Sequence, residues 1–359
     1  MDKSKQLADI FKMIAPGTIL REGLENVLRS KTGGLIVIGD SEEVLGIVDG
    51  GFNLNAELSP SRLYELAKMD GAMVLNSNAD RILCANAQLI PDPTIPSSET
   101  GTRHRTAERV AKQTGELVIA ISQRRDIITL YKGSIKYVME DIRVILSKAN
   151  QAVQTLDKYR NVLDQSLTNL SALEFEDLVT VDDVAAVIQR TEMVLKIEGE
   201  IKRYINELGL EGRLIKMQLE ELVANVKEEG VLLIRDYMAE SEEEDDEIDP
   251  EVLLMELTNW SSDEMLSLNT ISKAMGHGGS VNTLDLSIEP RGYRILKKIP
   301  RLPMPVIENM IERFENLQTI INASPDELDD VDGIGEIRAR AIKEGLARLR
   351  DQVLLDRQI

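Results

Sequence analysis

Two short stretches carry the residue types that could do chemistry in this chain. The first is Met69-Asp70-Gly71-Ala72-Met73-Val74-Leu75, a carboxylate beside a glycine on the edge of an apolar run. The second is Gly101-Thr102-Arg103-His104-Arg105-Thr106, which sets two guanidinium groups, an imidazole and two hydroxyls side by side. Arg forks, Thr hydroxyls and loop N–H groups match phosphate oxygens in charge and shape, so the second stretch suits a nucleoside triphosphate. Asp70 could orient or deprotonate an attacking hydroxyl, or hold a divalent metal, because phosphoryl-type transfer depends on positioning and charge neutralisation. Gly71 would let the backbone approach a ligand closely. Taken singly, an Asp-Gly pair is usually a turn and an Arg-His-Arg triplet a solvated basic face. Here basic clusters are scarce in an acidic chain, and His104 is one of only 2 histidines, which favours the functional reading.

The elements that must position these groups follow from the hydrophobic pattern. Apolar, β-branched runs at residues 35–38, 45–48, 72–75, 82–89, 117–121 and 127–130 are bounded by Gly and Asp, and predict strands buried on one or both faces. Residues 6–30 predict amphipathic helices broken at Ala15-Pro16-Gly17, and residues 60–69 and 106–115 predict two more. Between them, residues 90–99 are rich in proline and polar side chains and read as an exposed loop. That loop runs into 101–106, so the expected arrangement is a cationic loop feeding a helix that starts at Thr106, where free N–H groups can meet phosphate.

From about residue 135 to 238 the texture changes to long helical stripes, among them Ile145, Ala149, Val153, Leu156, Leu163 and Leu170, then Val184, Val187, Val194 and Ile201. Such stripes are core or helix-pair seams, and the segment reads as a spacer. Residues 240–249 hold 8 acidic side chains in 10, a solvated, self-repelling connection without the spacing of a calcium loop. Helical patterns at 252–260 and 263–275 precede Gly276-His277-Gly278-Gly279-Ser280, a hinge or linker in which His277 is expected to be solvent-exposed.

The last segment carries the second functional signal. Leu328 to Ile342 reads as helix, tight turn at Gly333-Ile334-Gly335, helix, with Arg338 and Arg340 on the second helix. The glycines permit close backbone approach, and N–H groups at the second helix start can bind a phosphate backbone without reading sequence. A preceding copy, Leu296 to Ile307, has prolines where the glycines would stand, so its own phosphate contact is doubtful. From Arg291 onward the chain holds 12 Lys/Arg and 12 Asp/Glu, so the negative excess lies elsewhere.

Asp70-Gly71-Ala72 and Arg103-His104-Arg105, in that order and with the helix-hairpin-helix module behind them, resemble the signature of the DNA-integrity-scanning diadenylate cyclases over the whole chain. The resemblance implies an α/β N-terminal cyclase domain with a mixed sheet flanked by helices (1–140), an all-α spacer (141–288) and an all-α helix-hairpin-helix DNA-binding domain (289–359). It further implies that Gly71, Ala72, Leu89, Thr102, Arg103, His104, Arg105 and Thr106 contact ATP, that Asp70 is catalytic, and that Mg2+ or Mn2+ sits near Asp70 and His104 with the ATP phosphates. Gly333, Ile334, Gly335, Arg338 and Arg340 would meet DNA. The implied reaction joins two ATP into cyclic di-AMP with release of two pyrophosphates, modulated by branched DNA, in an octamer. A DNA-repair scaffold whose α/β domain only senses a nucleotide is the competing reading.

Composition sets the outer bounds. With 359 residues and 43% hydrophobic content the chain can build two or three cores. A net charge of -20 excludes nucleic-acid binding through the overall field, so any such contact must be local. The single cysteine, Cys84, excludes an internal disulfide and reads as a small buried hydrophobe. The N-terminus lacks the apolar core of a signal peptide, and no apolar run approaches the roughly 18 residues of a membrane span, so a cytoplasmic protein without membrane contact is expected.

Overall fold

The computed structural model describes residues 3–239 and 249–357. The chain divides into two compact units, Met1–Gln151 with Ile201–Met217, and Ala152–Glu200 with Gln218–Ile359. The acidic run at 240–248 lies outside the described residues; Asp249, at its end, caps the next helix by accepting from Glu251 N at 2.8 Å.

The first unit is built on a mixed eight-stranded sheet. It begins with helices α1 (Lys3–Ile14) and α2 (Ile19–Arg29), followed by β1 (Gly34–Ile38), α3 (Glu42–Gly46), β2 (Val48–Asp49), β3 (Phe52–Glu57) and α4 (Pro60–Ala67). Then come β4 (Ala72–Leu75), β5 (Arg81–Leu89), α5 (Thr102–Thr114), β6 (Leu117–Ser122), β7 (Ile127–Lys132) and β8 (Ile135–Val138). The strand order is β2-β5-β4-β1-β6-β7-β8, with β3 also pairing β5; β1 and β4 run parallel and the other pairs antiparallel.

Alternation along the central strands fills a core on each face. Ile36 and Ile38 on β1, Met73 and Leu75 on β4, and Leu117, Ile119 and Ile121 on β6 pack with side chains of α1, α2 and α4. Their neighbours Val37, Val74, Val118 and Ala120 point the other way and pack with Ala107, Val110 and Ala111 of α5. Burial on both faces explains why these strands read as continuous apolar runs. α2 starts where Thr18 accepts from Arg21 N, and α4 where Ser59 accepts from Arg62 N and Pro60 supplies a preset φ.

Several boundaries differ from expectation. Residues 45–48 were expected as a strand, yet Leu45 belongs to α3: Ser41 accepts from Val44 N, Glu42 and Glu43 occupy the first turn, and only Val48 enters the sheet. Strand β3 had no apolar run to announce it, because its FNLNAE sequence is exposed along nearly its whole length. The helical texture starts after β8, not at 135. The helix expected from Thr106 begins one turn earlier, so residues 102–106 are helical and Gly101 is the N-cap.

Two long helices follow, α6 (Ile142–Glu176) and α7 (Val181–Leu208), each contributing residues to both units, then α8 (Arg213–Leu222) and α9 (Val226–Tyr237). The second unit continues with α10 (Pro250–Thr258), α11 (Ser262–Met265), α12 (Leu268–Ala274) and α13 (Val281–Leu284). His277 is not free in solvent: it is half-buried, with Nε2 donating to the Tyr237 carbonyl at 2.6 Å. The chain ends in α14 (Tyr293–Lys297), α15 (Met304–Phe314), α16 (Leu317–Asn322), α17 (Pro325–Asp329) and α18 (Glu336–Asp356), which share one apolar core including Leu296, Ile307, Ile320, Leu328 and Ile342. The architecture is thus a mixed-sheet α/β domain followed by helical segments and a terminal helical-hairpin module.

Candidate nucleotide site

The entry to β4, the end of β5, the first turn of α5 and the β6–β7 turn surround a cavity of about 600 Å³. Asp70, Gly71, Ala72, Leu89, Thr102, Arg103, His104 and Thr106 all line it. Arg105 does not; it is exposed, and its Nε donates to the Glu99 carbonyl at 3.3 Å. Four lining residues at the end of β6 and in the β6–β7 turn, Ser122, Gln123, Arg124 and Arg125, were not anticipated from sequence. Their signal was an Arg-Arg pair in the turn between two strand runs, which by itself looks like an ordinary solvated turn.

Gly101 has no side chain to cap α5, so the first-turn N–H groups have no capping oxygen and face toward an incoming anion. Arg103 reaches across this end of the helix. Its Nη2 lies 3.4 Å from Asp70 Oδ1, and its Nη1 lies 3.5 Å from the Ile121 carbonyl. Asp70 itself is wholly solvent-exposed, with a side-chain accessibility of 101% against 30% for Arg103. Gly71 has a reason other than ligand approach: a Cβ there would stand 2.4 Å from the backbone carbon of Asn86 and 2.5 Å from its Cα. β4 and β5 close on each other at this point, where their register shifts and Asn86 adopts φ 55.

His104 Nδ1 lies 3.0 Å from the Tyr131 hydroxyl, which donates to Glu99 Oε1 at 2.8 Å; Lys136 Nζ meets the same oxygen at 2.5 Å. Burial lowers the His104 pKa below the usual histidine value, and nearby Arg125, Arg103 and Lys136 push the same way against the opposing charge of Glu99. Burial alone would raise Glu99, but the hydrogen bonds from Lys136 and Tyr131 outweigh it and hold the carboxyl below its ordinary range. Among the described residues no three His, Cys, Asp or Glu side chains converge into a metal cage. The donors present, an exposed carboxylate and one imidazole, fit a divalent ion that takes most of its ligands from substrate phosphates and water.

The terminal module has its own geometry. Gly333 takes φ 84, Ile334 tucks into the core, and Gly335 is an N-cap without a side-chain bond, leaving the first-turn N–H groups of α18 open. Arg338 folds back to donate to the Gly333 carbonyl, and Arg340 pairs with Glu336 at 2.5 Å. In the proline copy Arg301 takes the left-handed conformation at φ 63, and Pro305 in the first turn of α15 removes an N–H that phosphate could use.

Three family models match this chain in order: the DisA bacterial checkpoint controller nucleotide-binding domain over residues 21–135, the DisA checkpoint controller linker region over 139–284, and a helix-hairpin-helix motif over 316–345. The DNA integrity scanning protein DisA of Carboxydothermus hydrogenoformans is 59% identical over 98% of both chains. The proteins of that name from Clostridium botulinum strain Loch Maree, at 57% over 99% of both, and Symbiobacterium thermophilum, at 58% over 98% of this chain and 97% of that one, are similar. The chain belongs to the DisA family. Like the family it is an enzyme, a diadenylate cyclase with a helical linker and a helix-hairpin-helix module. Both motifs of the cavity fall within the DisA nucleotide-binding match, and the helix-hairpin-helix match takes in Gly333 and Gly335 but not the proline copy. Among the described residues no helix is long and apolar enough to cross a membrane.

Proposed function

We propose that this chain condenses two ATP molecules into cyclic di-AMP and two pyrophosphates across a two-fold interface between identical half-sites. The observation that carries the reading is a solvent-exposed carboxylate, Asp70, held 3.4 Å from Arg103 at the rim of a cavity that also takes in the cationic start of α5. In each half-reaction one 3′-oxygen bonds to the α-phosphorus of the facing nucleotide, the bond from that phosphorus to pyrophosphate breaks, and the hydroxyl proton passes to Asp70. A product with two-fold symmetry is made most simply by a two-fold arrangement of sites.

Arg103, Thr102, Thr106 and the open N–H groups of α5 hold the triphosphate, Arg125 adds charge from the β6–β7 turn, and Leu89 and Ala72 supply apolar wall. Asp70 and His104 would be the protein donors for a Mg2+ or Mn2+ ion, which would supply neutralising charge to the phosphates. The functional domains are 1–140 for cyclisation, 141–288 for spacing and 289–359 for DNA. The two-glycine hairpin binds a phosphate backbone without sequence preference, and several copies in an octamer would engage branched DNA through effective concentration and so modulate the cyclase. ATP and chromosomal DNA as joint ligands suit the cytoplasm.

The test is incubation of the full chain with ATP and Mg2+ or Mn2+, with and without branched DNA, and identification of the product by mass. Cyclic di-AMP that disappears in Asp70→Asn while ATP still binds supports the reading; turnover unaffected by Asp70→Asn refutes the role given to Asp70, and a wild-type chain that binds ATP without making cyclic di-AMP favours a nucleotide sensor on a DNA scaffold. A variant held monomeric that still made product at the wild-type rate would remove the two-fold arrangement.

A further inference from the structure

The hydrogen-bond chain behind His104 has a direction set by its geometry together with the charge of Glu99, which Lys136 holds as a carboxylate. Glu99 Oε1 receives Lys136 Nζ at 2.5 Å and Tyr131 O–H at 2.8 Å, and an ionised carboxylate has no proton to give. The one phenolic proton of Tyr131 is therefore spent on Glu99. The Tyr131 oxygen, 3.0 Å from His104 Nδ1, can then only accept, so Nδ1 must carry a proton. Tyr131 is buried to 1% exposure on β7, and the Glu99 side chain to 11%, so neither can swing out and exchange partners with water cheaply.

We infer that Glu99, Tyr131 and Lys136 form a positioning relay that fixes His104 as the Nδ1–H tautomer and turns Nε2, a bare lone pair, toward the nucleotide cavity. His104 then accepts at Nε2, as a ligand to the divalent cation that accompanies the triphosphate, and does not donate to a phosphate oxygen as Arg103 would. A ligating imidazole is held this way in general: the nitrogen facing away from the ion donates to an oxygen, which sets ring orientation and basicity. Glu99 comes from the loop before α5, Tyr131 from β7 and Lys136 from β8, so three separate elements fix the one hydroxyl that meets the ring nitrogen. This inference rests on the cyclase reading for its purpose, but not for its geometry.

The chain has only two histidines, so the full-length protein labelled with 15N-histidine gives two sets of ring resonances, and the set missing from His104→Gln is assigned to His104. The expected result at neutral pH without ligand is a protonated Nδ1 and an unprotonated Nε2 for His104, replaced by mixed or Nε2–H forms in Tyr131→Phe, with the His277 signals unmoved. In turnover, Tyr131→Phe and Glu99→Gln should each lower kcat roughly 10- to 100-fold and raise the metal concentration for half-maximal rate, with KM for ATP little changed. Phe fills the buried volume of Tyr, and Glu99→Gln leaves that core untouched, so a folding defect shared by both is not expected. A His104 that is Nε2–H or doubly protonated in the wild type overturns the inference, as do two variants with wild-type kcat and metal dependence. The Nδ1–H signature in a chain that made no cyclic dinucleotide would sustain the relay and remove only the cyclase reading.

Discussion

Arg294 and Glu174 form an ion pair in which neither side chain reaches solvent. Arg294 sits on α14 and Glu174 on α6, and the same carboxylate accepts from Tyr237 O–H at 2.8 Å. Beside them Asp236 accepts from the backbone N–H groups of Gly292, Tyr293 and Arg294 at 2.7, 2.6 and 2.9 Å, capping α14 from the neighbouring α9. The start of the terminal module is thus fastened to the spacer helices by charge. Among the described residues Arg294 Nε and Nη1 have no hydrogen-bond partner, so the desolvation cost of the pair is incompletely offset.

Removing one member should leave the other charge stranded. Arg294→Met is expected to lose roughly 3–5 kcal/mol in urea or guanidinium unfolding. Replacing Glu174 by Leu in the same chain should return much of that loss; additive losses in the double variant would show that the two charges do not act as a pair.

At Gly71 the missing side chain makes room for Asn86. Gly71→Ala drives a methyl into the Asn86 backbone at about 2.4 Å, and the two strands must part at the mouth of the cavity. Overpacking of this kind costs roughly 1–3 kcal/mol. Calorimetry with ATP should show weakened binding together with a lowered Tm, whereas Asp70→Asn should leave Tm alone.

Glu192 is buried on α7, with Thr258 O–H donating to one oxygen at 2.8 Å and, among the described residues, no partner on the other. Burial raises its pKa from 4.5 to about 7, against the hydrogen bond from Thr258 and the charge of Lys196. Between those values only the folded state holds the proton, so stability falls as pH rises from about 4.5 through 7, by at most about 3 kcal/mol. Glu192→Gln should flatten that part of the curve in denaturation measured at several pH values; an unchanged slope would remove Glu192 as its source.

In the terminal module Gly333 needs its left-handed φ of 84, so Gly333→Ala should destabilise the hairpin by about 1 kcal/mol and weaken DNA binding. Arg338→Ala and Arg340→Ala should each weaken binding evenly across sequences and lower the slope of log affinity against log salt by about 1. Fluorescence anisotropy of labelled branched DNA over a salt series measures both; loss of affinity for one sequence only would contradict a backbone contact.

The strongest sequence signals were the ones whose chemistry and burial agreed. β1, β4 and β6 are buried on both faces and appear as unbroken apolar runs, and the motifs around Asp70 and Arg103 combine rare residue types in a fixed order. Elements decided by other forces were misread or missed. Leu45 is apolar but 49% exposed on a short helix set by Ser41, and β3 alternates Phe52 and Leu54 with asparagines, all of them exposed, so it makes no apolar run. Glu99 looked like the end of a polar loop, and Tyr131 like any strand aromatic; only the fold brings both to His104. Arg124 and Arg125 enter the cavity because β6 pairs with β1, a neighbour distant in sequence.

An acid group as open to water as Asp70, tethered at 3.4 Å to Arg103, would on the proposed reading have its work delivered from outside. With the proposed two-fold arrangement of half-sites, catalysis would become an encounter between chains as well as between molecules of fuel. Dilution alone should quiet such a protein, the rate per chain falling as the solution thins, while crowding onto a common scaffold would wake it without altering a single bond in either copy.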